Sequence, residues 1–120
     1  MKKLLLGLLL VLSINASAKF TETLNIKYET RYGWSKYYTV DVTFITGYEL
    51  NQATRTFNYS SYSTYAVVFW GQGQATVIKL SGYVACGFDA QPYCLMYNTS
   101  LQGIDQDGDK WFICLTNVCY

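Results

Sequence analysis

Asp105, Asp107 and Asp109 stand at alternate positions in Asp105-Gln106-Asp107-Gly108-Asp109. Alternate carboxylates suit calcium, a hard cation that takes oxygen ligands, and the spacing matches the first three ligand positions of an EF-hand loop. The match then ends. The sixth position, where that loop needs glycine, is Lys110, and the twelfth, where it needs a bidentate glutamate, is Thr116. Asp107-Gly108 is also a favoured two-residue hairpin turn, for which flanking carboxylates supply solvation. The expectation is a plain turn, with no metal and no cofactor.

The cysteines are the next candidates. Cys86, Cys94, Cys114 and Cys119 are even in number, include no C-x-x-C spacing, and share the chain with no histidine. Zinc sites draw on clustered cysteine and histidine, so two disulfides are the better use of these thiols. Three pairings are open. The local scheme, Cys86–Cys94 with Cys114–Cys119, is preferred over the two crossed ones, although longer loops would constrain the unfolded chain more.

Absence of histidine also removes the commonest general base and every Ser-His or Cys-His nucleophile. Paired carboxylates are the remaining acid–base option, and the chain has no phosphate-cradling glycine loop. The sequence reads as a non-enzyme.

Recognition is better supplied. Tyr59-Ser60-Ser61-Tyr62-Ser63-Thr64-Tyr65 mixes tyrosine with small hydroxyl residues, a composition that gives rigid amphipathic contact with adaptable hydrogen bonding. Arg31-Tyr32-Gly33-Trp34-Ser35-Lys36-Tyr37 sets a second aromatic group among basic residues. Trp34, Tyr37 and Tyr62 are the binding candidates, with a protein or a glycan as partner. The competing reading is that these rings only cover the core. Asn58-Tyr59-Ser60 and Asn98-Thr99-Ser100 match the N-glycosylation pattern and matter only in a eukaryotic secretory pathway.

The elements that must hold these residues are strands. Glu22–Tyr28 and Tyr38–Phe44 alternate with period two, and the second should keep Asp41 on its wet side. Glu49–Ala53 has room for one helical turn, and Thr54–Tyr59 alternates again with Phe57 and Tyr59 on one face. Tyr65–Trp70 is apolar on both faces, as in a strand covered on both sides. Gly71-Gln72-Gly73-Gln74 reads as a hairpin turn into Ala75–Leu80. Tyr83–Cys86 and Tyr93–Tyr97 read as short strands, and Ser100–Ile104 and Lys110–Leu115 flank the acidic turn. The fold class is all-β: a small antiparallel sandwich or barrel of about seven strands, stapled by disulfides.

Residues 1–18 complete the reading. Met1-Lys2-Lys3 is a positive n-region, Leu4 to Val11 an apolar run, and Ala16-Ser17-Ala18 a peptidase site. The run is short of the roughly 20 residues needed to cross a bilayer as a helix, so cleavage after Ala18 is expected rather than stable membrane insertion. Nine basic and eight acidic residues become seven and eight once Lys2 and Lys3 leave, a net −1. That balance argues against a nucleic-acid binder. The expectation is one domain over residues 19–120, periplasmic or secreted, that recognises a protein partner through an aromatic surface. Inhibition of an enzyme is one form of that recognition; a carbohydrate-binding or envelope-associated structural module is the alternative. Mass spectrometry of the exported chain should find Lys19 at its N-terminus; an intact Met1 leader would overturn this assignment.

Overall fold

The computed structural model describes residues 19–71, 73–81, 100–115 and 119. Over these residues the protein is all-β apart from one helix. In chain order the elements are β1 (Lys19–Thr30), β2 (Gly33–Trp34), β3 (Tyr38–Thr46), α1 (Gly47–Thr54), β4 (Thr64–Gly71), β5 (Gln74–Leu80), β6 (Ser100–Asp105) and β7 (Lys110–Cys114). The two short strands expected at 83–86 and 93–97 lie outside the described residues.

Sandwich and barrel are distinguished by how the sheet ends. Strand order is β2-β1-β3-β4-β5-β6-β7, every pairing is antiparallel, and β1 returns to pair with β7. Six strands thus close into a barrel, with β2 as an additional strand. β1 makes this possible by its length. Lys19 to Ile26 pair with β3, Asn25 to Tyr28 pair with β7, and Glu29 and Thr30 pair only with β2. The last two residues therefore carry a short arm beyond the barrel wall.

Period-two alternation places Ile26, Val42, Phe44, Ala66, Val68, Ile78, Leu80, Leu101, Trp111 and Ile113 in one buried cluster inside the barrel. Asp41 is exposed, where it accepts a hydrogen bond from Thr23 Oγ1 at 2.5 Å. The two-sided strand reading of Tyr65–Trp70 also holds, for a specific reason. Ala66 and Val68 face the interior, while Tyr65 and Val67 face a second cluster with Ile45, Leu50, Ala75 and Val77. α1 supplies Leu50 and partly buried Ala53 to that outer cluster, so helix and sheet share it.

The helix is longer than the single turn expected, and it displaces an expected strand. Thr46 caps it, its side chain accepting from Glu49 N at 3.2 Å, and Arg55 ends it in the left-handed conformation at φ 56. Thr54–Tyr59 is consequently no strand. Its alternation reflects a helix end followed by a loop, 55–63, with half-buried Tyr59 packed against the outer cluster and Phe57 in water.

Interior packing has one tight point. Gly103 stands opposite Trp111, and a Cβ added there would lie 2.4 Å from Lys79 O and 2.6 Å from Ile78 Cγ2. Both neighbours belong to β5, whose Leu80 stands directly opposite Gly103. Gly103→Ala should therefore lower unfolding stability by about 1–3 kcal/mol, the usual range for overpacking a core. Urea denaturation measures this, and an unchanged midpoint would show that β5 and β6 are not in this close contact.

Candidate binding surfaces

The acidic turn resolves into a structural device. Asp105 is buried, and its carboxylate accepts three N–H groups: Asp107 N (2.8 Å) and Asp109 N (3.0 Å) on Oδ1, and Trp111 Nε1 (2.8 Å) on Oδ2. Gly108 N donates to Asp105 O at 3.0 Å, Asp105 N donates to Asp109 O at 2.9 Å, and Gly108 takes φ 88. This is a three-residue loop, 106–108, with glycine in the left-handed position, rather than the two-residue Asp107-Gly108 turn expected. One carboxylate oxygen from each of Asp105, Asp107 and Asp109 lies within 4.8 Å of the others. Asp105 reaches that cluster with both oxygens already accepting hydrogen bonds from the turn and from Trp111.

Gln106 has a different task. Its Oε1 accepts from Val77 N at 2.9 Å and its Nε2 donates to Ala75 O at 3.3 Å. β6 pairs with β5 only from Ile78 onward, so this amide takes the place of a strand backbone along the rest of β5.

Above Asp105 the barrel mouth is filled by aromatic rings. Tyr28 lies 5.2 Å from Trp111 and 6.2 Å from Tyr38, and Trp70 lies 6.0 Å from Tyr38 and 6.2 Å from Trp111. Each residue comes from the same end of a different strand, which is why four rings meet. Both indole N–H groups are held inside, Trp70 donating to Thr76 Oγ1 at 2.7 Å and Trp111 to Asp105. Trp70 nevertheless keeps 37 % of its surface in water.

Trp34 and Tyr37 come together on the outer wall. The Lys27 ammonium lies 4.7 Å from the Tyr37 ring, 5.2 Å from Phe112 and 5.4 Å from Trp34. Register explains the meeting: Lys27 is opposite Phe112 on β7, and Trp34 is opposite Glu29, two residues along β1 on the same face. Attraction between the cation and the ring faces clasps the arm to the barrel. The Tyr37 hydroxyl is buried without a hydrogen-bond partner among the described residues, so its ring makes the contact. Trp34 remains 40 % exposed. Lys27 and Phe112 were not legible as part of this group, because only the strand register reveals them.

Tyr62 belongs elsewhere. It lies two residues before Thr64, which pairs with Thr46 at the far end of β3, whereas the arm extends beyond the end of β3 marked by Tyr38. Nine residues of β3 separate the two sites, about 30 Å at a strand's rise per residue. Tyr62 is 84 % exposed, and Phe57 on the same loop is 98 % exposed. The loop beneath them is tied down. Asn51 exchanges two bonds with Tyr59, Nδ2 donating to its O (2.8 Å) and Oδ1 accepting from its N (3.0 Å). Ser60 N donates to Tyr65 Oη (2.8 Å), Ser63 N to Ser60 O (3.1 Å), and Gly47 N to Ser63 O (2.8 Å). Burial, with Tyr65 beside it as a lesser cause, raises the Tyr59 phenol above its ordinary value of 10.0, so this ring stays neutral at physiological pH.

Of the cysteines, Cys114 and Cys119 form a disulfide, which excludes both crossed pairings. Cys86 and Cys94 lie outside the described residues. Among the described residues no helix is long and apolar enough to cross a membrane. Comparison with protein-family models, with curated proteins and with solved structures finds no match.

Asp105→Ala strips the acceptor from three N–H groups and should cost about 3 kcal/mol, since buried unmet donors cost roughly 1–3 kcal/mol each with partial relaxation. Asp107→Asn should leave stability within about 0.5 kcal/mol, as is usual at exposed sites. Thermal denaturation of both variants checks the pair. Equal losses would mean that the turn depends on the cluster's charge rather than on Asp105.

Proposed function

We propose that the chain is an exported binding domain that recognises a protein partner through the aromatic loop 55–63, enzyme inhibition being one use of such a contact. The observation that carries this reading is the exposure of Phe57 and Tyr62 on a backbone fixed by five hydrogen bonds. An exposed phenylalanine gains most when a partner covers it, about 1.5–3 kcal/mol for a full side chain. A rigid loop adds to that, because little conformational freedom is lost on binding. The Lys-Lys, Leu-rich leader and the Cys114–Cys119 bond support action in the periplasm or outside the cell, where disulfides persist.

A glycan is the second reading, favoured by Trp70, whose partly exposed ring at the barrel mouth offers a face for a sugar to stack on.

Immobilised mature chain, residues 19–120, separates the two when challenged with envelope and extracellular extracts. The expected result is a protein retained by the wild type, lost at least tenfold with Phe57→Ala/Tyr62→Ala, and kept by Trp70→Ala. Retention that survives the loop double variant, or that a glycan competes away through Trp70, would overturn the loop as the contact surface.

A further inference from the structure

The β1–β2 arm carries a second group of exposed side chains at the opposite end of the barrel from loop 55–63. Thr30 and Gly33 are paired, so Arg31 and Tyr32 form its two-residue tip, and Tyr32 is 90 % exposed. The tip is ordered locally: Thr30 Oγ1 donates to Gly33 O (2.7 Å) and accepts from Tyr32 N (3.1 Å). Its root is ordered as well. Ser35 N donates to Tyr28 O (2.7 Å), and Ser35 Oγ accepts from Tyr28 N (3.0 Å) and donates to Lys36 O (2.8 Å). The Arg31 guanidinium lies 5.8 Å from the Tyr32 ring centroid, and Lys36 Nζ lies 5.3 Å from that of Tyr38.

Charge gives this arm a direction. Residues 27–36 hold Lys27, Arg31 and Lys36 against Glu29 alone, in a mature chain whose net charge is −1. Lys27 is enclosed by its three rings, so Arg31 and Lys36 present the outward positive charge. The Asp107–Asp109 loop and Lys110 flank the root, since Trp111 is opposite Tyr28 on β1. The tip thus carries Arg31 as its one charge, and Lys36, at the root, is offset by the aspartates of the flanking loop. Arginine, tyrosine and tryptophan are the residue types that dominate protein contact energies, and guanidinium pairs bidentately with carboxylate.

We propose that the arm is a second contact surface, selective for a protein segment that presents carboxylates beside apolar side chains: Arg31 pairs with the carboxylate and Tyr32 packs against its apolar neighbour. The proposal does not rest on loop 55–63, from which the length of β3 separates it. Together the two ends would let one small barrel hold two partners at once.

Fluorescence polarisation tests this with the mature chain and a labelled peptide of alternating glutamate and phenylalanine. Matched probes are a lysine–phenylalanine peptide, heparin and anionic phospholipid vesicles. The expected result is binding of the acidic peptide that weakens as salt is raised and at least tenfold with Arg31→Glu/Tyr32→Ala. Phe57→Ala/Tyr62→Ala should leave it unchanged. Thermal denaturation should show both double variants folded, because Arg31, Tyr32, Phe57 and Tyr62 are exposed and none belongs to either core cluster. Failure to bind the acidic peptide, binding indifferent to the arm variant, or preferential binding of heparin or vesicles would each overturn the proposal.

Discussion

The fold depends on one pairing that spans almost the whole described chain: β1 against β7. At Asn25 and Ile26 the first strand is bonded on both flanks, to Thr39 and Tyr38 on one side and to Cys114 and Ile113 on the other. A sheet left open there would expose unpaired backbone along β1 and β7 and would uncover Ile26 and Ile113, both completely buried. Closure has an entropic cost, because the ends of a long chain must be brought together before the contacts form. The interior cluster and the wide ring contacts of Trp111 offset it, and the Cys114–Cys119 bond stands at the point where β7 leaves the seam.

Closure also distributes the exposed side chains. Once six strands form a wall, each strand's inner face is committed to the core, and the surface open to any partner is left to the ends and the outside. At one end, Tyr28, Tyr38, Trp70 and Trp111 fill the mouth while the arm leaves it; at the other, α1 folds back over β3, β4 and β5 and holds loop 55–63. Aromatic side chains thus serve opposite ends of the energetic balance. Trp111 is buried and hydrogen-bonded to Asp105, whereas Tyr32 and Phe57 stand in water.

Much of this was legible in the sequence. Period-two alternation located β1 and β3, the apolar run Tyr65–Trp70 announced a strand covered on both sides, and the glycines at 71 and 73 marked the hairpin that leads into β5. Cysteine spacing favoured the Cys114–Cys119 bond. Local signals failed where a longer-range constraint decided the outcome. Thr54–Tyr59 alternates like a strand, yet Thr46 caps a helix that runs through Thr54, and the outer cluster then recruits Tyr59 while leaving Phe57 outside. Asp105 looked like a solvating carboxylate, and only its position opposite Ile78 in the barrel turned it inward to Trp111. Trp34 and Tyr37 were found by composition, but Lys27 and Phe112, which complete their group, depend on strand register. Tyr62 shared their residue type and not their location.

Native-state hydrogen exchange tests the closed barrel most directly. The interior-facing and seam amides from Asn25 to Tyr28 and from Trp111 to Cys114 should exchange only through global unfolding, at the same free energy as the β3–β4 amides. Tyr59, Ser60 and Ser63 should be protected too, because their N–H groups hold loop 55–63 in place. Seam amides that exchange far faster than those of β3 and β4 would mean an open sheet with a free edge, and the account of a closed barrel positioning two rigid surfaces would be wrong.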